Sequence, residues 1–329
     1  MTRVLVTGGA GYIGSHVCKR LAEKGAEPVV FDNLSRGHRD AVKWGPLIVG
    51  DLSDTNLLLE TMKAYRPAAV MHFAALSNVG ESVSNPDLYY ASNVSGTISL
   101  LNAMIEAEVR KLVLSSTCAI YGVPDALPIT EDAPARPVSP YGRTKHIIET
   151  VLDDYAKSYM INYAALRYYN ACGADQDGEI GERHDPETHL IPRALMAAGG
   201  MLPHLDIYGT DYATPDGTCI RDYIHVSDLA EGHLLALDHL DATSTNAAIN
   251  LGVGKGLSIF EVLNAIEETT GMKVPFQARA RRAGDPPVLF ADPAKARQLL
   301  GFSPVHSDIS NIVRTAWAFM RRTTPSAPR

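Results

Sequence analysis

Gly8, Gly11 and Gly14 stand three residues apart, between a short β-branched run, Arg3–Thr7, and a helical pattern over Ile13–Lys24. Glycines so placed make a tight turn, let the backbone approach a pyrophosphate and let the helix pack closely on the strand. The helix N-terminus then presents amide N–H groups and the positive end of its dipole to the phosphates. Asp32 ends the next apolar run, 18 residues after Gly14. A carboxylate there accepts the adenosine ribose hydroxyls and repels a 2′-phosphate, so the pattern points to NAD rather than NADP. A flexible turn is the bland alternative, and the strand–loop–helix context argues against it. Arg36 and Arg39, just beyond, read as surface arginines of a loop.

A second constellation follows the apolar run Lys111–Ser116. Ser115, Ser116 and Thr117 end it, and Tyr141 and Lys145 come later in SPYGRTK. Tyr141 and Lys145 are spaced i,i+4 on a helix opened by Pro140, so they share one face. A phenol with a pKa of about 10 is a poor base at neutral pH, but a neighbouring ammonium and a nicotinamide cation favour the phenolate. The Thr117 hydroxyl can hydrogen-bond the same substrate oxygen. A YxxxK pair alone reads equally well as a solvated helix face. Here it follows a strand ending in hydroxyls, downstream of a dinucleotide loop, and that context selects the catalytic reading.

These residues need elements to hold them. The β-branched runs Arg3–Thr7, Pro28–Asp32, Leu47–Asp51, Ala68–Ala75, Lys111–Ser116 and Tyr163–Tyr168 alternate with helical patterns at Ile13–Lys24, Thr55–Tyr65, Ser92–Ala107 and Pro140–Ser158. Nearly continuous apolar strands between helices predict an α/β fold, a doubly wound parallel sheet of the Rossmann type. From about Ala171 long Gly-, Asp- and Pro-rich loops predict a smaller C-terminal α/β domain that binds substrate. The expected division is 1–169 and 170–329, with the segment near 222–240 packing back on the first domain. The tail after Arg322 reads as frayed.

Composition sets the outer limits. The 329 residues are 46% hydrophobic and 20% charged, with 30 Lys+Arg against 37 Asp+Glu and a net charge of −7. That is a globular composition, and its acidic balance argues against a nucleic-acid or membrane-surface binder. Four separated cysteines form no CxxC pair and imply no disulfide framework, which fits a reducing, cytoplasmic compartment. No apolar run is long enough to span a membrane.

The GxxGxxG spacing resembles the extended short-chain dehydrogenase/reductase superfamily. Within it VTGGAGYIGSH, HFAAL, VGESV, SSTCAIYG, SPYGRTK, LRYYNACGAD, DGTCIRDYIHVSDLA, NLG and RRAGDPP resemble the UDP-glucose (UDP-galactose) 4-epimerase family in order and spacing, from Val4 to about Trp317. Dehydratases of nucleotide sugars place an Asp-Glu pair after the threonine and UDP-glucuronate decarboxylases a Glu. This chain has Cys118-Ala119, so it lacks the acid that eliminates water. The resemblance implies that Tyr141 takes the proton of the sugar 4-hydroxyl while the C4 hydride passes to NAD+. The 4-keto sugar then turns and receives both on its other face, while Lys145 holds the cofactor ribose and lowers the Tyr141 pKa.

The resemblance also implies further cofactor contacts at Tyr12, Ile13, Asp32, Asn33, Asp51, Leu52, Phe73, Ala74, Ala75, Asn93, Ser115 and Tyr168. It places the UDP-sugar at Asn170, His189, Leu190, Tyr208, Arg221, Arg282, Asp285 and Leu289, beside Thr117 and Tyr141. Arginines suit a diphosphate because they combine charge with bidentate donation. Three positions depart from the family. Ser77 replaces a lysine, His189 an asparagine, and Leu289 stands where a tyrosine or a small residue gauges sugar size. The cluster His184, Asp185, Glu187 and His189 matches no zinc spacing, the family needs no metal, and a solvated loop is expected there. The implied partners are a UDP-sugar and a second copy of the chain, docked through helices near Ser92–Ala107 and Pro140–Ser158. The same chemistry on the UDP-xylose/UDP-arabinose pair is the nearest alternative. A non-catalytic NAD(P) sensor of the same fold is a more distant one, disfavoured because Thr117, Tyr141 and Lys145 are all present.

Overall fold

In the computed structural model, which describes residues 1–282 and 284–323, the strands are β1 Arg3–Thr7, β2 Glu27–Asp32, β3 Leu47–Val49, β4 Ala69–His72, β5 Lys111–Thr117, β6 Asn162–Tyr168, β7 Asn170–Cys172, β8 Leu205–Tyr208, β9 Ile220–His225, β10 Ala247–Leu251, β11 Gly256–Ser258, β12 Phe276–Arg279 and β13 Val288–Leu289. The tail expected to fray lies, beyond Thr323, outside the described residues. Seven strands form one parallel sheet in the order β10-β6-β5-β4-β1-β2-β3, the doubly wound arrangement expected from the alternating pattern. The strand order reverses between β1 and β4, which opens a crevice at their C-terminal ends.

Alternation along β1 shows why the sheet is buried on both sides. Val4 and Val6 join a core with Val17, Leu21, Leu229 and Leu234, whereas Leu5 faces the opposite core with Leu58, Leu101 and Leu152. The first core packs under helices α1 (Tyr12–Glu23) and, from the far end of the chain, Val226–Thr243. The second packs under α2 (Thr55–Tyr65) and the helical stretch made of α3 (Val79–Ser84), α4 (Pro86–Tyr89), a π turn over Tyr90–Ser95 and α5 (Gly96–Glu106), with α6 (Pro140–Tyr159) alongside. The helix expected over Ser92–Ala107 thus begins as a π turn.

After β6 the chain builds a second layer. There β9 pairs with β7, β11 and β13, β8 pairs with β12, and α7 (Leu190–Ala198) lies among them. The chain then returns. Helix α8 (Val226–Thr243) packs on α1, and β10 adds the seventh strand beside β6. These two elements lie beyond residue 170 and belong to the first layer, so sequence order and layer order part company there. Helices α9 (Ile259–Thr270), α10 (Ala294–Leu300) and α11 (Ile309–Thr323) complete the chain. No helix among the described residues is long and apolar enough to cross a membrane.

Candidate active site

Gly8 turns the chain out of β1 at φ +75, where a Cβ would lie 2.5 Å from the Ala74 nitrogen. A Cβ on Gly14 would lie 2.3 Å from the Gly8 carbonyl oxygen. Only glycine fits this cradle. Gly11 begins α1 without a side-chain cap, so no side chain covers the first-turn amides. Asp32, buried at the end of β2, accepts the amides of Ala10 at 3.0 Å and Leu34 at 2.8 Å. Burial pushes its carboxyl up, and those two amides pull it down. Beside it Asn33 donates to Asp51 at 2.7 Å.

The catalytic candidates meet at the ends of β5 and β6. Ser139 caps α6 by accepting from the Gly142 amide at 3.1 Å, and Pro140 follows it, so the helix begins where Tyr141 faces the cleft. Burial pushes the Tyr141 phenol up to about 12, and a hydrogen bond with Thr117 draws it back. One turn later Lys145 is 2% exposed. Burial pushes its ammonium down to about 8, with the Glu149 carboxylate opposing. Lys145 donates to the Ser115 carbonyl at 2.8 Å, while the Ser115 hydroxyl bonds the Tyr168 phenol. Thr117, Tyr141 and Lys145 therefore share one polar corner.

That corner opens into a cleft of ≈ 1620 Å³. Single drug-sized ligands occupy about 300–1,000 Å³, so this volume suits a dinucleotide together with a second nucleotide. Gly8, Gly11, Tyr12, Ile13, Gly14, Asp32, Asn33, Asp51, Leu52, Phe73, Ala74, Ala75, Ser115 and Tyr168 line one end. Asn170, His189, Leu190, Tyr208, Arg221, Arg282, Asp285 and Leu289 line the other. Arg221 is ion-paired with Asp285, and the Arg282 guanidinium stacks 4.1 Å from the centre of the Tyr208 ring. Asn170 spends its amide on the Asp222 carbonyl at 3.0 Å.

Asn93, expected as a cofactor contact, lies behind Leu76. It is fully buried in the π turn and does not line the cleft. Its side chain donates to the Leu76 carbonyl at 3.0 Å and accepts the Leu76 amide at 2.8 Å. It clamps the strand exit that carries Ala74 and Ala75 and makes no lining contact of its own.

The loop before α7 exposes Asp185, Pro186, Thr188 and His189, as a solvated loop would, yet it draws two carboxylates inward. Glu182, His184, Glu187 and His189 bring their ligating atoms within 4.8 Å of one another, and the Glu182 and Glu187 side chains are only 7% and 10% exposed. Asp185 is not part of the group. Sequence reasoning missed Glu182, since only its apolar neighbour Ile180, buried in the fold, marks that stretch as anchored. It also missed Glu149, which accepts from Ser116 at 2.5 Å and pairs with Arg167 one turn beyond Lys145. A glutamate spaced i,i+4 from the lysine was the available signal.

Comparison with known proteins agrees with this geometry. The sequence profile of the NAD dependent epimerase/dehydratase family matches residues 4–252. A UDP-glucose 4-epimerase of Rhizobium leguminosarum bv. trifolii is 50% identical, across 95% of this chain and 96% of its own. The crystal structure of UDP-glucose 4-epimerase from Brucella ovis in complex with NAD superposes with a TM-score of 0.95 at 57% identity, covering 97% of this chain and 98% of that one. The Stenotrophomonas maltophila UDP-glucose-4-epimerase with bound NAD and formylated UDP-arabinopyranose gives 0.96 at 40% identity, covering 99% and 100%. Matched by profile, by full-length relatives and by fold, the chain belongs to the NAD dependent epimerase/dehydratase family.

Proposed function

We propose that this chain is an NAD-dependent UDP-sugar 4-epimerase, an isomerase acting on the UDP-glucose/UDP-galactose pair. The observation that carries the reading is the convergence of Thr117, Tyr141 and Lys145 beside the glycine cradle, at a position where Cys118-Ala119 supply no acid for elimination. Relatives that are 50% and 57% identical, named UDP-glucose 4-epimerases, support the same substrate pair.

The residues present fit NAD. The Gly8 and Gly14 cradle has no room for a Cβ, the first turn of α1 has no side-chain cap, and Asp32 keeps its carboxylate at the end of β2. When bound, the cofactor supplies reversible storage for the C4 hydride. The protein does the proton chemistry. Tyr141 accepts the proton of the sugar 4-hydroxyl and later returns it, and Thr117 hydrogen-bonds the phenol so that the anion is less costly. Lys145, buried beneath, adds positive charge to the same corner. Arg221 and Arg282 neutralise the diphosphate, and Asp285 accepts ribose hydroxyls of the uridine. Free rotation of the keto sugar needs a pocket without a tight wall, and Leu289 offers an apolar, non-donating side. No net redox change occurs, so the cofactor stays bound and none need be added.

Two further features belong to the proposal. The homodimer is built through the helices near Ser92–Ala107 and Pro140–Ser158, where the exposed Ile147 of α6 supports it, and the four free cysteines support a reducing, cytoplasmic setting. Light scattering giving a concentration-independent 35.5 kDa particle would refute the dimer. Residues 1–169, joined by the returning α8 and β10, would hold the cofactor, and most of 170–329 the UDP-sugar. The function itself is tested by incubating purified protein, without added cofactor, with UDP-glucose, UDP-galactose, UDP-N-acetylglucosamine and UDP-xylose separately. The anomeric protons are followed by NMR. Interconversion of the first two supports the reading; net consumption of added NAD, or turnover confined to UDP-xylose, defeats it.

A further inference from the structure

We propose that Glu182, His184, Glu187 and His189 form a binding site for one divalent transition-metal ion of the zinc class, in the wall of the cleft ahead of α7. The donor set is two imidazoles and two carboxylates, which suits zinc. Both imidazoles present the same ring atom. His189 Nδ1 lies 2.8 Å from a Glu182 oxygen and 3.0 Å from Glu187 Oε1, and His184 Nδ1 lies 3.2 Å from that Glu182 oxygen and 3.6 Å from Glu187 Oε2. A tetrahedron with zinc bonds of about 2.0–2.1 Å has edges of about 3.3 Å, and the two separations that share Glu182 Oε1, 3.2 and 2.8 Å, lie near that length.

Hydrogen bonding accounts poorly for the same arrangement. Of the four contacts, only His189 with Glu187 forms a hydrogen bond of acceptable geometry. His184 Nδ1 is sealed from solvent without a hydrogen-bond partner. Glu182, 7% exposed, makes no hydrogen bond of acceptable geometry among the described residues, and both Nδ1 atoms crowd one of its oxygens. A cation at the centre of the four atoms would bind the orphaned His184 nitrogen and both carboxylates at once. Without the ion, two imidazolium protons would balance the two carboxylates in charge, and zinc would displace them.

The surroundings orient the ligands. The amides of Thr188 and His189 donate to Glu187 Oε1 at 2.7 and 2.8 Å, and the Tyr12 ring meets His184 edge-on at 6.3 Å between centroids. All four ligands lie within eight residues, so the ion would close that short loop on itself. It would stiffen the cleft wall and take no part in proton or hydride transfer. The proposal concerns the same cleft as the epimerase reading but does not require that reading.

The test uses the full-length, tag-free protein, stripped with a chelator and given zinc chloride alone, so activity is not the readout. Equilibrium dialysis with elemental analysis should find one zinc per chain. His189→Asn and Glu182→Gln should each lower zinc affinity at least tenfold, with circular dichroism verifying that the variants fold. X-ray absorption at the zinc edge of the wild type serves if they do not: nitrogen and oxygen donors, with histidine outer-shell scattering and no sulfur, support the site. Absence of stoichiometric zinc, unchanged affinity in both folded variants, or sulfur in the coordination shell overturns it.

Discussion

The Lys145 ammonium donates to the Ser115 carbonyl at 2.8 Å, so the lysine is held by the strand end that also carries Thr117. Burial pushes it down from 10.5 to about 8. Between about pH 8 and pH 10.5 the unfolded chain therefore holds a proton on this lysine that the folded chain has released. Stability contributed by the group rises with pH across that window and is lost as pH falls through about 8. The difference between its ends is about 3 kcal/mol, at ~1.4 kcal/mol per pH unit. Lys145→Met should flatten the rise, measured by urea denaturation across the window at matched cofactor occupancy. Equal slopes in both proteins would remove the lysine from the account.

In the proposed mechanism Tyr141 carries the acid–base oxygen, so Tyr141→Phe should lower kcat by about 10²–10⁴ and leave UDP-sugar binding nearly intact. Thr117 should be visible as a shift. Its hydroxyl draws the Tyr141 phenol down against the effect of burial, so Thr117→Val should raise that pKa. Fewer molecules then carry the base at any pH below it, and the acidic limb of the kcat/KM profile moves to higher pH. A hydrogen bond to a charged group is worth about 1.5–3 kcal/mol, which corresponds to about one to two pH units. A limb that stays in place assigns the hydroxyl no such role.

Gly8 sits at φ +75 with the Ala74 nitrogen 2.5 Å from where a Cβ would lie. Gly8→Ala must strain the backbone and push β4's exit away from the cradle. The variant should purify with far less NAD than the wild type, measured as cofactor released on denaturation. Full occupancy would show that the cradle tolerates a methyl group.

Leu289 lies in β13, aligned with Arg221 of β9, and lines the cleft where the proposed function places the sugar. A tyrosine there adds bulk and a hydroxyl to a wall now apolar. Overpacking costs about 1–3 kcal/mol, so Leu289→Tyr should depress kcat/KM for any UDP-N-acetylhexosamine about 5- to 150-fold more than for UDP-galactose. Equal losses on both substrates would place the gauge of sugar size elsewhere.

The glycine loop, the Tyr141–Lys145 pair and the alternation of apolar strands with helices were all legible in the sequence. Each rests on spacing within one element or one turn, where covalent geometry leaves little choice. Tertiary structure alone decided the rest. Asn93 is held against Leu76 within a π turn over Tyr90–Ser95, and no local pattern announces the extra residue in that turn. Arg221 met Asp285 across 64 positions of chain, through strands that only the second layer brings together. The addition of β10 beside β6 likewise follows from burying apolar side chains among distant partners, Ile249 and Leu251 with Leu166, whereas the packing back of α8 was expected of the segment near 222–240. Glu182 joined His184 and His189 in Asp185's stead because the fold of the loop turned it toward them. Spacing along the chain cannot report which of two neighbouring carboxylates faces inward, since the backbone path sets that direction and long-range packing sets the path.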